Sequence, residues 1–141
     1  MNVFQNTITL KPYPRGCHLI TTDIEGALKD LAIRVGLCHV FLKHTSAGLT
    51  INENADPSVR VDLEEYLHRV APENAPYFTH DYEGSDDMPA HIKSSLFGCS
   101  VTVPLRGGQL DLGTWQGIYL GEYRNSGAPR VLTITCLGDE K

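Results

Sequence analysis

The chain has 141 residues, 41% of them hydrophobic and 21% charged, a composition that suits one globular domain with enough apolar material for a core. Twelve Lys and Arg against seventeen Asp and Glu leave a formal net charge of −5, which withholds the positive field that non-specific binding to nucleic acid or anionic membranes needs. No stretch approaches the roughly 20 apolar residues of a membrane span and no basic segment with an apolar run behind it opens the sequence, so a cytoplasmic location is expected.

In chain order, residues 3–10 alternate well enough to read as a strand, residues 11–16 break it with two prolines and a glycine, and residues 17–21 resume it as the second arm of a hairpin. Thr22 and Glu25 match a capping box, and Ile24, Leu28, Leu31 and Val35 follow at helical spacing up to Gly36, read as a left-handed cap. From Cys38 the period changes to two and a strand with apolar residues on both faces runs to His44. A short extended run, Leu49 to Ile51, precedes Asp56-Pro57, the N-cap and N1 of a helix with the stripe Val59, Leu63, Tyr66, Leu67 and Val70.

Residues 72–88 carry two prolines, one glycine and the acidic residues Glu73, Asp81, Glu83, Asp86 and Asp87 without periodicity. A loop this long in a compact domain is more often functional than idle. Pro89 restarts a short helix to Phe97, and strands follow at 101–105, 110–112, 118–123 and 131–137, the last two joined through Asn125-Ser126-Gly127. Grouped strands with about three helices and no regular βαβ alternation predict a largely antiparallel α+β fold in a single domain, residues 1–141. Cys17, Cys38, Cys99 and Cys136 form no C-x-x-C pair and are expected to be reduced, non-ligating thiols.

Four stretches carry a family likeness: His44-Thr45-Ser46-Ala47-Gly48-Leu49-Thr50-Ile51-Asn52-Glu53-Asn54-Ala55-Asp56-Pro57, His80-Asp81-Tyr82-Glu83-Gly84, Met88-Pro89-Ala90-His91-Ile92-Lys93, and Leu112-Gly113-Thr114-Trp115-Gln116-Gly117-Ile118-Tyr119-Leu120. In order, over residues 5–138, they resemble the YjbQ-like family. The resemblance implies a small cytoplasmic α+β protein, assembled as a homotrimer, with its motifs gathered in one polar site. It also implies a thiamine-phosphate synthase activity that is weak or secondary.

The three imidazoles of His44, His80 and His91 come from separate segments that a compact fold can bring together. Three His with an open fourth position is a usual catalytic set for a divalent metal such as zinc; the alternative is that each ring is a hydrogen-bonded core or surface group. Asp81, Glu83 and Glu53 are candidate general bases or partners that orient the imidazoles, with solvation of the loop or local turn bonding as the alternative. For Asp86 and Asp87, solvation is the default. Ser46, Lys93, Trp115, Gln116 and Arg124 are candidate ligand contacts: the two cations suit an anionic substrate, and glycines flank the single tryptophan at a bulge or rim. His18 and His68 fall outside the cluster, and no Walker loop, Rossmann glycine pattern or nucleophile elbow occurs.

Two functions are compatible with this pattern. One is an enzyme acting on a small phosphorylated or otherwise anionic metabolite at a His-based metal site; the other is a non-catalytic metabolite- or metal-binding homotrimer.

Overall fold

A computed structural model describes residues 1–141. The elements in chain order are β1 (Asn2–Thr9), β2 (Gly16–Leu19), α1 (Thr21–Ala27), β3 (Val35–Leu42), β4 (Ala47–Glu53), α2 (Pro57–Val70), α3 (Asp87–Phe97), β5 (Ser100–Arg106), β6 (Gln109–Leu110), β7 (Gln116–Glu122) and β8 (Val131–Asp139). Every strand pairing is antiparallel. One sheet has the order β1-β8-β3-β5-β6 and the other β2-β7-β4, which makes the fold α+β with three helices.

The core lies between the two sheets. Alternation along the strands of the larger sheet turns Cys38, Val40, Leu42, Val103, Leu105, Leu132, Ile134 and Cys136 inward, where they meet Ala47, Leu49, Ile118 and Leu120 of the smaller sheet and Ile20, Ile24 and Leu28 around α1. A second, smaller cluster joins Leu67 of α2, Ala90 and Phe97 of α3, and Tyr123 just past β7. The outer face of the larger sheet stays open, with Val3, Val35, Leu37, Phe41 and Leu137 exposed on it. No helix is long and apolar enough to cross a membrane.

Four local expectations are corrected. The opening strands form no hairpin, because β1 pairs with β8 and β2 with β7, so residues 10–15 cross between sheets; β7 and β8 are likewise divided. The Thr22/Glu25 capping box is absent: Ile20 occupies the N-cap, and the Thr21 hydroxyl instead accepts a hydrogen bond from the Ile118 amide. The α1 helix stops at Ala27, and Val35 and Gly36 enter β3, where they pair with both β5 and β8. Two ladders and β-branched residues outweigh a helical stripe there. Finally, α3 begins at Asp87, two residues before Pro89; proline is tolerated in a first turn, whose amides have no intrahelical partner.

Asp56 caps α2 as read, its side chain accepting from the Ser58 amide with Pro57 following. Gly36 faces Gly138 across β3 and β8, and a Cβ on Gly36 would lie 2.0 Å from the Leu137 carbonyl oxygen. Gly36→Ala is therefore expected to destabilise the fold by about 1–3 kcal/mol. Gly26→Ala, in helix α1 with open space around it, is expected to stabilise by about 0.5–1 kcal/mol. Urea unfolding of the two variants checks the pair; an unchanged midpoint for Gly36→Ala contradicts the close approach of these strands.

Candidate functional site

Asp87 opens α3, and residues 71–86 lead into it from α2. Its side chain is only 2% exposed, yet three charged or ionisable groups from separate segments reach it. His80 Nε2 lies 2.6 Å from Oδ2, and His91 Nε2, one helical turn along α3, lies 3.2 Å from the same oxygen. Arg124, just past β7, donates from Nη1 to Oδ1 at 2.7 Å. The same guanidinium donates from Nε to Asp86 Oδ2 at 2.9 Å and from Nη2 to the Glu83 carbonyl at 2.9 Å. The Asn125 amide adds a fourth tie, to Asp86 Oδ2 at 2.8 Å. Gly84, with φ +112°, makes the bend between Glu83 and these carboxylates, and a Cβ there would meet Asp86 Oδ1 at 2.9 Å.

Burial works to raise the pKa of both aspartates, and the surrounding donors outweigh it. The Asn125 amide and Arg124 hold Asp86 below the ordinary carboxylate value, while His80, His91 and Arg124 do so for Asp87. Both are carboxylates at neutral pH.

His91 is oriented from its other side. Its Nδ1–H donates to the Thr45 carbonyl at 2.8 Å, so in the neutral ring Nε2 carries the lone pair and points it at Asp87 Oδ2. Two lone pairs so aligned repel unless a cation stands between them, either a proton or a metal ion. The ligand atoms of His80, Asp87 and His91 all lie within 4.8 Å of one another, and the backing of ring by carbonyl and of carboxylate by arginine is the outer-shell pattern of metal sites.

His80 and His91 thus meet, their ring centroids 5.3 Å apart, but the third member of the cluster is Asp87 and not His44. His44 Nε2 accepts a hydrogen bond from the Val131 amide at 2.8 Å, which spends that lone pair on β8. Burial, reinforced by the Arg130 charge, lowers the His44 pKa and keeps the ring neutral. Of the expected bases, Glu83 stands nearest, its Oε2 3.9 Å from His80 Nε2, and Asp81 is exposed. Glu53 instead accepts from the amides of Ala55 and Asp56 at the entrance to α2.

Among the expected ligand contacts, Arg124 is committed to the two aspartates. Lys93 is 1% exposed, its ammonium 5.9 Å from the centroid of the Tyr123 ring, and it lines none of the cavities. Ser46 contributes its carbonyl to Arg130, which forms a buried ion pair with Glu122. Trp115 and Gln116 are exposed beside Glu53, whereas the His44–Ser46 segment and Arg124 flank the Ala47 and Glu122 end of the same ladder. Six residues of strand separate the two ends by about 20 Å, so the tryptophan motif and the histidine cluster occupy opposite ends of one sheet.

Sequence reasoning missed Asp87. The signal was present in Asp87-x-x-x-His91, the i, i+4 spacing that puts two ligands on one helical face; starting the helix at Pro89 concealed it.

The sequence profile of the UPF0047 protein YjbQ-like family matches residues 6–139. The chain belongs to the YjbQ-like UPF0047 family. The YjbQ protein of Salmonella typhimurium is 54% identical over 137 residues, covering 96% of this chain and 99% of that one. The YjbQ protein of Escherichia coli O157:H7 is 49% identical over the same coverage. Among solved structures, a conserved hypothetical protein from Thermus thermophilus superposes with a TM-score of 0.83 at 33% identity, over 94% of this chain and 99% of that one. A protein of unknown function from Sulfolobus solfataricus superposes at 0.87 over 98% and 99%, and at 24% identity it speaks for the fold alone.

The aspartate pair has a pH signature. Since the folded pKa values of Asp86 and Asp87 lie below their unfolded values, their contribution to stability is present above the unfolded carboxylate value of about 4 and is lost as pH falls below it. The urea midpoint should drop with acidification below about pH 4, and the drop should be shallower in Arg124→Gln. Equal slopes for the two proteins would show that Arg124 does not hold these groups ionised.

Proposed function

We propose that His80, Asp87 and His91 hold a divalent transition metal at which the protein acts on a small anionic metabolite. The observation that carries this reading is His91, whose Nδ1–H is spent on the Thr45 carbonyl while Nε2 faces Asp87 Oδ2 at 3.2 Å. Two imidazoles and one carboxylate suit zinc better than an oxygen-seeking cation such as magnesium, and three protein ligands leave a position open. A metal there would polarise an oxygen of the substrate. The chain's own contribution is to fix the ligands: Thr45 orients His91, Arg124 holds the Asp87 carboxylate, and Glu83 is the nearest further carboxylate for proton transfer.

The finer form of this reading is a weak thiamine-phosphate synthase, supported by the family likeness described from the sequence. The cluster itself supports only the coarser one. Metal analysis of purified protein and of Asp87→Asn, His91→Ala and His44→Ala tests it. Wild type and His44→Ala should hold about one zinc per chain, and the other two should lose affinity by at least about tenfold. Wild-type metal content in Asp87→Asn would sink the cluster as a metal site. Acidification should weaken binding, because protons compete with the metal for the ligand lone pairs. Turnover that requires both the metal and His91 supports the enzyme, whereas tight binding without turnover supports a non-catalytic module.

Assembly as a homotrimer is part of the same proposal. The family likeness supports it, and so does the open outer face carrying Val3, Leu37, Phe41 and Leu137, since covering apolar surface favours association. Sedimentation equilibrium should return three times the 15.6 kDa chain mass; a monomer mass at micromolar concentration ends this part of the reading.

A further inference from the structure

The turn between β3 and β4 and the second half of α3 border a cavity of about 370 Å³, with His44, Thr45, His91, Ser94 and Ser95 on its wall beside Gly98 and Cys99. Of the four cavities in the molecule it is the one without a carboxylate: the others include Glu25, Asp81, or Asp62 with Glu64 and Glu65. In a chain of net charge −5, an anion entering this cavity meets no carboxylate on its wall.

Local bonding determines which polar groups of the wall are free to donate. The Val131 amide donates to His44 Nε2 at 2.8 Å, so the neutral ring must carry its proton on Nδ1. Adding a second proton at Nε2 would set two N–H groups face to face, and burial together with the Arg130 and Lys43 charges opposes it. Nδ1–H is thus the free donor of His44. The Thr45 carbonyl, the acceptor that would repel an anion, is already taken by His91 Nδ1–H. The Ser95 hydroxyl proton is spent on the His91 carbonyl, which leaves the hydroxyls of Ser94 and Thr45 to rotate toward a ligand.

We propose that this cavity is the binding site for a phosphoryl group of the substrate, with His44 Nδ1–H as a fixed donor to it. The proposal deepens the functional reading above, since His91 belongs both to the cavity wall and to the metal cluster. It gives His44 a binding role where the sequence pattern suggested metal ligation, and it places the phosphoryl group of the substrate against named donors.

The test is an inorganic phosphate titration of the purified protein after chelation of metal, followed by long-range ¹H–¹⁵N spectra of the histidine rings. Before phosphate, His44 should show the Nδ1–H tautomer; phosphate should then shift its signals saturably in the millimolar range. His44→Gln keeps an acceptor for the Val131 amide but lacks a ring donor at this place. It should unfold at the wild-type temperature, retain zinc when reloaded, and bind phosphate at least about tenfold more weakly, the loss expected for one hydrogen bond to a charged group. His44→Asn, whose side-chain amide stands near the Nδ1 position, should recover part of that affinity.

Wild-type phosphate affinity in a folded His44→Gln, an Nε2–H tautomer, or no saturable shift would each overturn the proposal. Loss of zinc in His44→Gln would also overturn it, by returning His44 to the metal set. Because the titration uses metal-free protein, its failure is distinguishable from failure of the metal reading, which rests on Asp87→Asn and His91→Ala.

Discussion

The carboxylate of Asp87 is the point on which the site's geometry depends. It is almost fully enclosed, and removal from water is costly for an ionised carboxylate unless donors replace the lost hydration. His80 and Arg124 supply that replacement directly, and His91 does so through the proton or metal ion held between its Nε2 and the carboxylate. Because they come from the long loop, from α3 and from the segment after β7, a single buried charge ties three parts of the chain together. The loop between α2 and α3 is thereby anchored near its end. Removing any one donor would leave the charge short of partners, so these groups depend on one another.

The sheets explain why the donors meet where they do. Antiparallel pairing of β4 with β7 sets Ala47 opposite Glu122 at one end and Glu53 opposite Gln116 at the other. The chain leaves β3 for β4 close to the point where it leaves β7, so His44 and Thr45 approach Arg124, Arg130 and α3. The buried Glu122–Arg130 ion pair stabilises this corner, and the second Arg130 nitrogen holds the Ser46 carbonyl. The aromatic and polar residues at the other end belong to a separate surface. A motif read as one functional stretch in the sequence is therefore divided between two ends of a sheet by its own extended conformation.

Much of the fold could be read from residue patterns because the relevant forces are local. Period-two alternation marks β1, β5 and β8 within one or two residues and finds β3 from its fourth residue onward, and the Asp56-Pro57 start of α2 follows from unsatisfied amides at a helix end. The loop before α3 stands out in the sequence by its length and acidity, and His80 and His91, grouped from the sequence, lie side by side in the structure. The reading failed where a long-range partner overrode a local preference. Gly36 reads locally as a helix cap, yet its missing side chain serves close packing against Gly138, and His44 reads as a ligand, yet the β8 backbone already uses its lone pair.

The sequence by itself determined that the chain forms an antiparallel α+β domain of the YjbQ-like UPF0047 family, with histidines and carboxylates concentrated in a few segments. Hydrophobic periodicity, capping and motif order are properties of residues close together in the chain, and they survive without knowledge of the fold. Which strands share a sheet, which carboxylate the imidazoles address and which ring nitrogen is free were decided only in the tertiary structure. Each of these depends on hydrogen bonds between residues far apart in sequence: Val131 with His44, Thr45 with His91, and Arg124 with Asp86 and Asp87. A titratable side chain has several chemical roles open to it, and the partner that occupies one of its atoms selects among them.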